Sequence, residues 1–152
     1  MNRCTKCGEE KLAAGEQPVT RDVGERTFEG FVQGWSCAAC GERYYDAADL
    51  GSFEEAAAKW LAEHGVRTPE ELKFMRKAVG IRAADLATWL DVSPETISHW
   101  ETGKHAPDVV TRSTIAAIVL DTLRGESATL DRLRAQGKPE GTRKVRLGRD
   151  AA

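Results

Sequence analysis

The sequence predicts an α+β protein. A small metal-clamped β module stands at the N-terminus, and an all-helical domain of about five helices follows it. Three observations carry this. All four cysteines of the 152-residue chain lie in two short C-x-x-C-G clusters, Cys4-Thr5-Lys6-Cys7-Gly8 and Cys37-Ala38-Ala39-Cys40-Gly41. Between the clusters, strand-forming residues alternate around a Gly24-Glu25 turn. From Ser52 onward the apolar residues recur at helical spacing, with cap residues before each run and glycine after most of them.

Taken in order, Pro18 to Val23 and Thr27 to Trp35 read as two strands, and Arg43-Tyr44-Tyr45 as a short third. Ser52-Phe53-Glu54-Glu55 has the S-x-x-E form of a capping box. It would open a linker helix in which Phe53, Ala57, Trp60 and Leu61 share a face, ended by Gly65. Thr68-Pro69-Glu70-Glu71 supplies a cap, a proline at the first helical position and an acid three residues after the cap. That helix would bury Leu72, Met75 and Val79 and stop at Gly80. A second helix would run from about Arg82 to Leu90. Ser93-Pro94 opens a third, stopped by Gly103. Pro107-Asp108 precedes a long fourth helix with Val110, Ile115, Ile118, Val119 and Leu123, ended by Gly125. A weaker helix covers Leu130 to Ala135, and from Gly137 the polar, basic composition predicts disorder. The expected organisation is residues 1–50 as the metal module, 51–66 as a linker helix, 67–125 as the helical domain and 126–152 as a basic tail.

The cysteines identify the metal. Two C-x-x-C turns supply four thiolates, a closed tetrahedral shell that suits zinc and leaves no position for a substrate or an activated water. One structural zinc per chain, held by Cys4, Cys7, Cys37 and Cys40, is the expectation. The 29 residues between the pairs fit a zinc ribbon. Two self-bonded C-x-x-C disulfides are a poor alternative, because such pairs are usually redox-active. A thiol enzyme is disfavoured as well, since a redox pair wants its exposed thiol at a helix N-terminus and these sit in glycine-terminated knuckles. The chain is expected not to be an enzyme and to have no small-molecule substrate. Phe28, Phe31, Trp35, Tyr44 and Tyr45 exceed what so small a sheet can bury. They either face a partner or pack on the helix that follows.

The run from Val92 to Pro107 has the form of a reader helix for the DNA major groove. Such a helix starts cleanly and points successive polar side chains outward. Ser93 caps it, Pro94 fits its first position, and Ile97 and Trp100 face inward. Glu95, Thr96 and His99 then project towards base edges. Ser98, Lys104, His105 and Arg112 are placed for phosphates. Glu101 is expected to pair internally with Arg76 rather than to touch DNA.

Gly80 to Pro107 resembles the helix-turn-helix of the Cro/CI repressor type (the XRE family). The matching residues are Gly80-Ile81, Leu86-Ala87, Leu90, Val92-Ser93, Ile97-Ser98, Trp100-Glu101, Gly103-Lys104 and Pro107. With the ribbon included, residues 4 to about 124, four fifths of the chain, resemble the MqsA/YgiT family of zinc-finger antitoxins. That resemblance implies a zinc domain that binds and blocks an mRNA-cleaving toxin. It also implies a C-terminal domain that dimerises and represses its own operon at a palindrome. It places the main base readers at the second and sixth positions of the reader helix, here Glu95 and His99. The chain departs from the pattern there, where Asn or Arg is usual, so the operator does not carry over. Ala83 replaces a phosphate-bonding Gln, and Arg82 replaces a Ser/Thr cap.

Charge distribution sharpens the expected partners. Residues 1–50 carry nine acidic and six basic side chains, residues 66–125 eight of each, and residues 126–152 four acidic and seven basic. The metal module is therefore not the DNA-binding half. Palindromic double-stranded DNA read by a homodimer, with a possible toxin partner, is the expected set. The alternative is a stand-alone regulator with a purely structural ribbon. Ile115, Ile118, Val119 and Val110 either form the dimer surface or complete the monomer core. Lys138, Arg143, Lys144, Arg146 and Arg149 either add phosphate contacts or merely keep the tail soluble. No apolar run is long enough to span a bilayer and no signal-peptide pattern is present, which points to a cytoplasmic protein.

Overall fold

The computed structural model describes residues 2–148. Strands β1 (Leu12–Val23) and β2 (Arg26–Cys37) form a long antiparallel hairpin that pairs Leu12 with Cys37 and Val23 with Arg26. Strand β3 (Arg43–Tyr45) adds to the other side of β2, setting Trp35 opposite Tyr44. Both long strands reach further than propensity suggests. Ala13-Ala14-Gly15-Glu16 has no β-branched or aromatic residue, and its extension follows from pairing with β2 right up to Cys37. Val19, Val23 and Val32 are buried on one face.

Among the described residues six helices follow: α1 (Ala47–His64), α2 (Pro69–Ala78), α3 (Ala83–Leu90), α4 (Pro94–Thr102), α5 (Val109–Leu123) and α6 (Ala128–Gly137). Helix α1 differs from the sequence expectation at its start. Asp46 is the N-cap, its carboxylate accepting from the amides of Ala48 and Asp49, and the chain is helical five residues before Ser52. The Ser52 hydroxyl instead donates to the Ala48 carbonyl, so the apparent capping box is mid-helix. The strand ahead of α1 explains this. Asp46 N–H donates to the Gln33 carbonyl and Asp49 accepts from Gln33 N–H, so β2 fixes where α1 begins.

Nor is α1 only a linker. Its Ala58 and Leu61 are fully buried in one core with Leu72 and Met75 of α2, Leu86 of α3, Ile97 of α4 and Ile115, Ile118 and Val119 of α5. Burying side chains of this size contributes roughly 1.5–3 kcal/mol each. Ile115, Ile118 and Val119 thus complete the monomer core, whereas Val110 is 75% exposed. Beyond residue 125 the helical domain continues. Leu130 and Leu133 of α6 pack against the core, and Thr129 N–H donates to the Asp121 carboxylate at 2.8 Å. Residues 138–148 have neither helix nor strand and are exposed, while Arg149 lies outside the described residues.

The sheet rests on the helices at its far end. Gly24, in the β1–β2 turn, has φ 58°, and a Cβ there would sit 2.1 Å from the Thr68 hydroxyl of the α2 cap. Only glycine permits both that conformation and that approach. Beside it, Arg26 donates to the Gly65 carbonyl at 2.8 Å and lies 3.4 Å from Glu71 of α2. Phe28 packs edge-on against Trp60 of α1, with centroids 5.9 Å apart. Phe31 is 71% exposed. Of these aromatics, Phe28 thus packs on the helix that follows, and Phe31 stays exposed.

Candidate metal centre and nucleic-acid interface

Two knuckles of identical wiring bring the cysteines together. Gly8 N–H donates to the Cys4 carbonyl and Gly41 N–H to the Cys37 carbonyl, both at 2.8 Å. Cys4 N–H donates to the Glu9 carbonyl as Cys37 N–H does to that of Glu42. Gly8 and Gly41 have φ of 78° and 75° with open space around a notional Cβ, so backbone conformation rather than crowding calls for glycine. The Sγ atoms of Cys4 and Cys40 lie 3.6 Å apart, as do those of Cys7 and Cys37. All four lie within 4.8 Å of one another. Four sulfurs at about 2.3 Å from a central zinc stand roughly 3.8 Å apart, whereas a disulfide needs about 2.05 Å. The donor set therefore fits one structural zinc per chain.

Cys4 and Cys37 are buried, while Cys7 and Cys40 face solvent. Tyr44 closes the buried side. Its hydroxyl is 3.2 Å from Cys4 Sγ and accepts from Thr5 N–H at 3.0 Å. Together with the backbone N–H groups of Cys7 and Lys6, it lowers the Cys4 thiol to about 6 against desolvation. At Cys7 the Glu9 N–H lowers the value, but desolvation and the neighbouring thiols push it up to about 12. Without a cation, four sulfurs this close cannot all carry charge. Tyr44 was legible only as a surplus aromatic. Its role needs the Trp35–Tyr44 register, which no local spacing reveals.

The second site is built on α3 and α4. Helix α3 ends at Asp91, which has φ 54° and is the one described non-glycine residue with positive φ. The turn closes as Val92 N–H donates to the Ala87 carbonyl at 3.0 Å. Ser93 then caps α4, its hydroxyl accepting from Thr96 N–H at 3.2 Å. Ile97 is buried and Trp100 half-buried, which fixes the rotation of α4. Glu95 and Ser98 are exposed, and Thr96 and His99 half-buried. The Thr96 hydroxyl is 3.0 Å from that of Ser93, so its methyl is the freer end. His99 meets His105 edge to face, 5.3 Å between centroids, which brings a base-edge candidate beside a phosphate candidate. Lys104 and His105 are exposed in the loop after α4. Arg112 is half-buried at the start of α5, lining a small apolar pocket with Trp100, His105 and Pro107.

Behind α4, Arg76 binds Glu101 through two bonds, Nε to Oε1 at 2.5 Å and Nη2 to Oε2 at 2.9 Å. Its Nη1 donates to the Ile81 carbonyl at 2.7 Å. Glu101 is thus turned inward, away from any groove. At the start of α3, Arg82 makes no side-chain cap but forms a bidentate pair with Asp85.

Residues 70–133 match the family model of a helix-turn-helix domain, a DNA-binding and non-catalytic unit. The matched span covers α2 through most of α6 and so agrees with the packing of Leu130 and Leu133. No curated protein matches the chain. The protein therefore carries a helix-turn-helix domain behind a cysteine module whose donor set fits zinc. Among the described residues no helix is long and apolar enough to cross a membrane.

Proposed function

We propose that this protein is a sequence-specific transcriptional repressor that binds a palindromic operator as a homodimer. The observation that carries the reading is the polar face of α4, with Glu95 exposed and Thr96 and His99 half-buried on a capped helix while Glu101 is held inward. Each good base contact of this kind is worth about 1–3 kcal/mol of discrimination. Glu95 would accept from a cytosine amino group, and His99 would donate to guanine. Ser98, Lys104, His105 and Arg112 would hold phosphates. The second copy would cover the groove between α1 and α5, lined by Leu61, Val66, Met75, Val109, Ala117 and Leu120. Val109 and Val110 beside it are 66% and 75% exposed. The test is the paired substitution Glu95→Ala with His99→Ala. It should abolish sequence preference in a binding-site selection and leave the helical circular dichroism and zinc content intact. Unchanged selectivity would contradict the assignment.

The finer reading is an antitoxin, acting in the cytoplasm, whose zinc module holds a toxin while the helical domain represses the shared operon. The acidic balance of residues 1–50 suits a basic partner. Capture of one small basic protein by the full chain, co-expressed with the neighbouring gene product, would support it. A stand-alone regulator is the second reading, and the packing of the β1–β2 turn on α2 favours it, because that gives the ribbon a structural task without a toxin.

A further inference from the structure

The helical domain is short of the charge that a DNA reader uses. Residues 66–125 carry eight cations against eight acids. Three of those cations are already paired, Arg67 with Glu25, Arg76 with Glu101 and Arg82 with Asp85. Attraction to phosphates supplies essentially all of a protein's non-specific hold on a duplex, and a neutral domain lacks most of it. The missing charge follows in the chain. Residues 138–148 are exposed and carry Lys138, Arg143, Lys144 and Arg146 against one acid, Glu140. The Glu140 carboxylate is held locally, accepting from the Thr142 amide at 3.2 Å and its hydroxyl at 2.9 Å. Among the described residues none of these four cations makes an ion pair. Val145 and Leu147 are 68% and 80% exposed, so the segment does not fold back on the core. Its root is fixed, because α6 packs against α3. Gly137 and Lys138 line one cleft with Thr88, Trp89 and Asp91 at the end of α3. Asp91 ends α3, and Ser93, two residues on, caps the reader helix.

We propose that residues 138–148 are a DNA-binding arm that lies along the phosphates flanking the major-groove half-site, with Arg143, Lys144 and Arg146 as its contacts. The arm leaves the fold beside the turn that leads into α4, and the first residues of a reader helix are the ones that meet base edges. It therefore starts on the side of the domain that faces the duplex. From Lys138 to Arg146 is eight residues, up to about 27 Å when extended. A minor groove is about 6 Å wide, so the arm reaches phosphates on both sides of the groove next to the half-site. Such contacts fix position and add affinity but carry no sequence information. The two elements thus divide the task. Helix α4 sets which sequence is bound, and the arm supplies the attraction that the neutral domain does not.

This rests on α4 being the DNA-facing helix, and the test separates the two claims. The zinc-loaded full-length chain is compared with the variant Arg143→Ala, Lys144→Ala and Arg146→Ala. These side chains touch no part of the core, so the variant folds as the wild type does. Two probes are used, the duplex that the wild type enriches from a random pool and a duplex of random sequence. Affinity for each is measured between 50 and 200 mM salt. Three lost phosphate contacts should make the dependence of log affinity on log salt shallower by about 2.7, so that over this range the wild type loses roughly 40-fold more affinity than the variant. The variant should still enrich the same sequence, and hydroxyl-radical footprints should shrink only outside the half-sites. A selected sequence bound with equal salt slopes and equal footprints would overturn the arm and leave the reading of α4 standing. A changed selected sequence at equal slope would overturn it too. If the wild type enriches no sequence while the slope on the random duplex still differs by about 2.7, the reading of α4 fails and the arm stands.

Discussion

Replacing Arg76 by alanine should be among the most damaging single changes outside the apolar core. The side chains of Arg76 and Glu101 are only 9% and 7% exposed, so the pair is essentially out of water. Removing the guanidinium leaves the Glu101 carboxylate buried without a cation, a loss of about 3–5 kcal/mol. The Ile81 carbonyl loses its donor as well, adding about 1 kcal/mol. Against a total stability of about 5–15 kcal/mol, this is a large fraction. Glu101→Leu alone should cost a similar amount by stranding the guanidinium. The double variant Arg76→Met with Glu101→Leu should regain most of the loss, because a buried ion pair replaced by apolar groups of similar volume is often neutral. Urea unfolding of the zinc-saturated protein reads this out. With a slope of about 1–3 kcal/mol/M, the single variants should shift the midpoint by more than 1 M at unchanged slope. A single-variant loss below about 1 kcal/mol, or a double variant as damaged as the sum of the singles, would refute the reasoning.

Tyr44→Phe deletes the hydroxyl that reaches Cys4 and Thr5, and should weaken zinc binding about 10–100-fold in a chelator competition; an unchanged affinity would remove Tyr44 from the site. Asp91→Gly should stabilise the chain by about 1 kcal/mol in thermal unfolding, since the αL conformation there costs a side chain about that much, and Asp91→Val should destabilise it. The Thr129 backbone and hydroxyl bonds hold the Asp121 carboxyl below the usual carboxylate value. A lowered folded value means that Asp121 contributes stability above its unfolded value of about 3.9, and that this is lost as the pH falls through the folded value. The stability gap between wild type and Asp121→Asn should therefore close below about pH 4; a gap that stays constant to lower pH would show that ionisation of Asp121 is not what holds α6.

Most of the helical domain was legible because its signals are local. Thr68-Pro69 and Ser93-Pro94 start helices where those residues stand, with both caps bonded as their chemistry requires. The four-sulfur site was legible because C-x-x-C fixes two ligands per turn and a second pair completes the shell. What escaped depends on contacts between distant residues. Ser52-Phe53-Glu54-Glu55 has the right letters for a helix start, but the bonds from Gln33 to Asp46 and Asp49 set the start earlier. Asp91 takes a conformation usually left to glycine, which composition cannot show. Glu71 read only as the acid three residues after the Thr68 cap, and Arg26 carried no signal of its own. Only the turn at Gly24 brings them together and buries one of them completely. The two halves were therefore legible, and the junction between them was not.

Binding-site selection from a random duplex pool, with the zinc-loaded full-length chain, tests the central claim most directly. A two-fold symmetric sequence should emerge, its half-sites about one helical turn apart, and Glu95→Ala with His99→Ala should lose that preference. A pool that stays flat over successive rounds, with zinc bound and the helices folded, would contradict it.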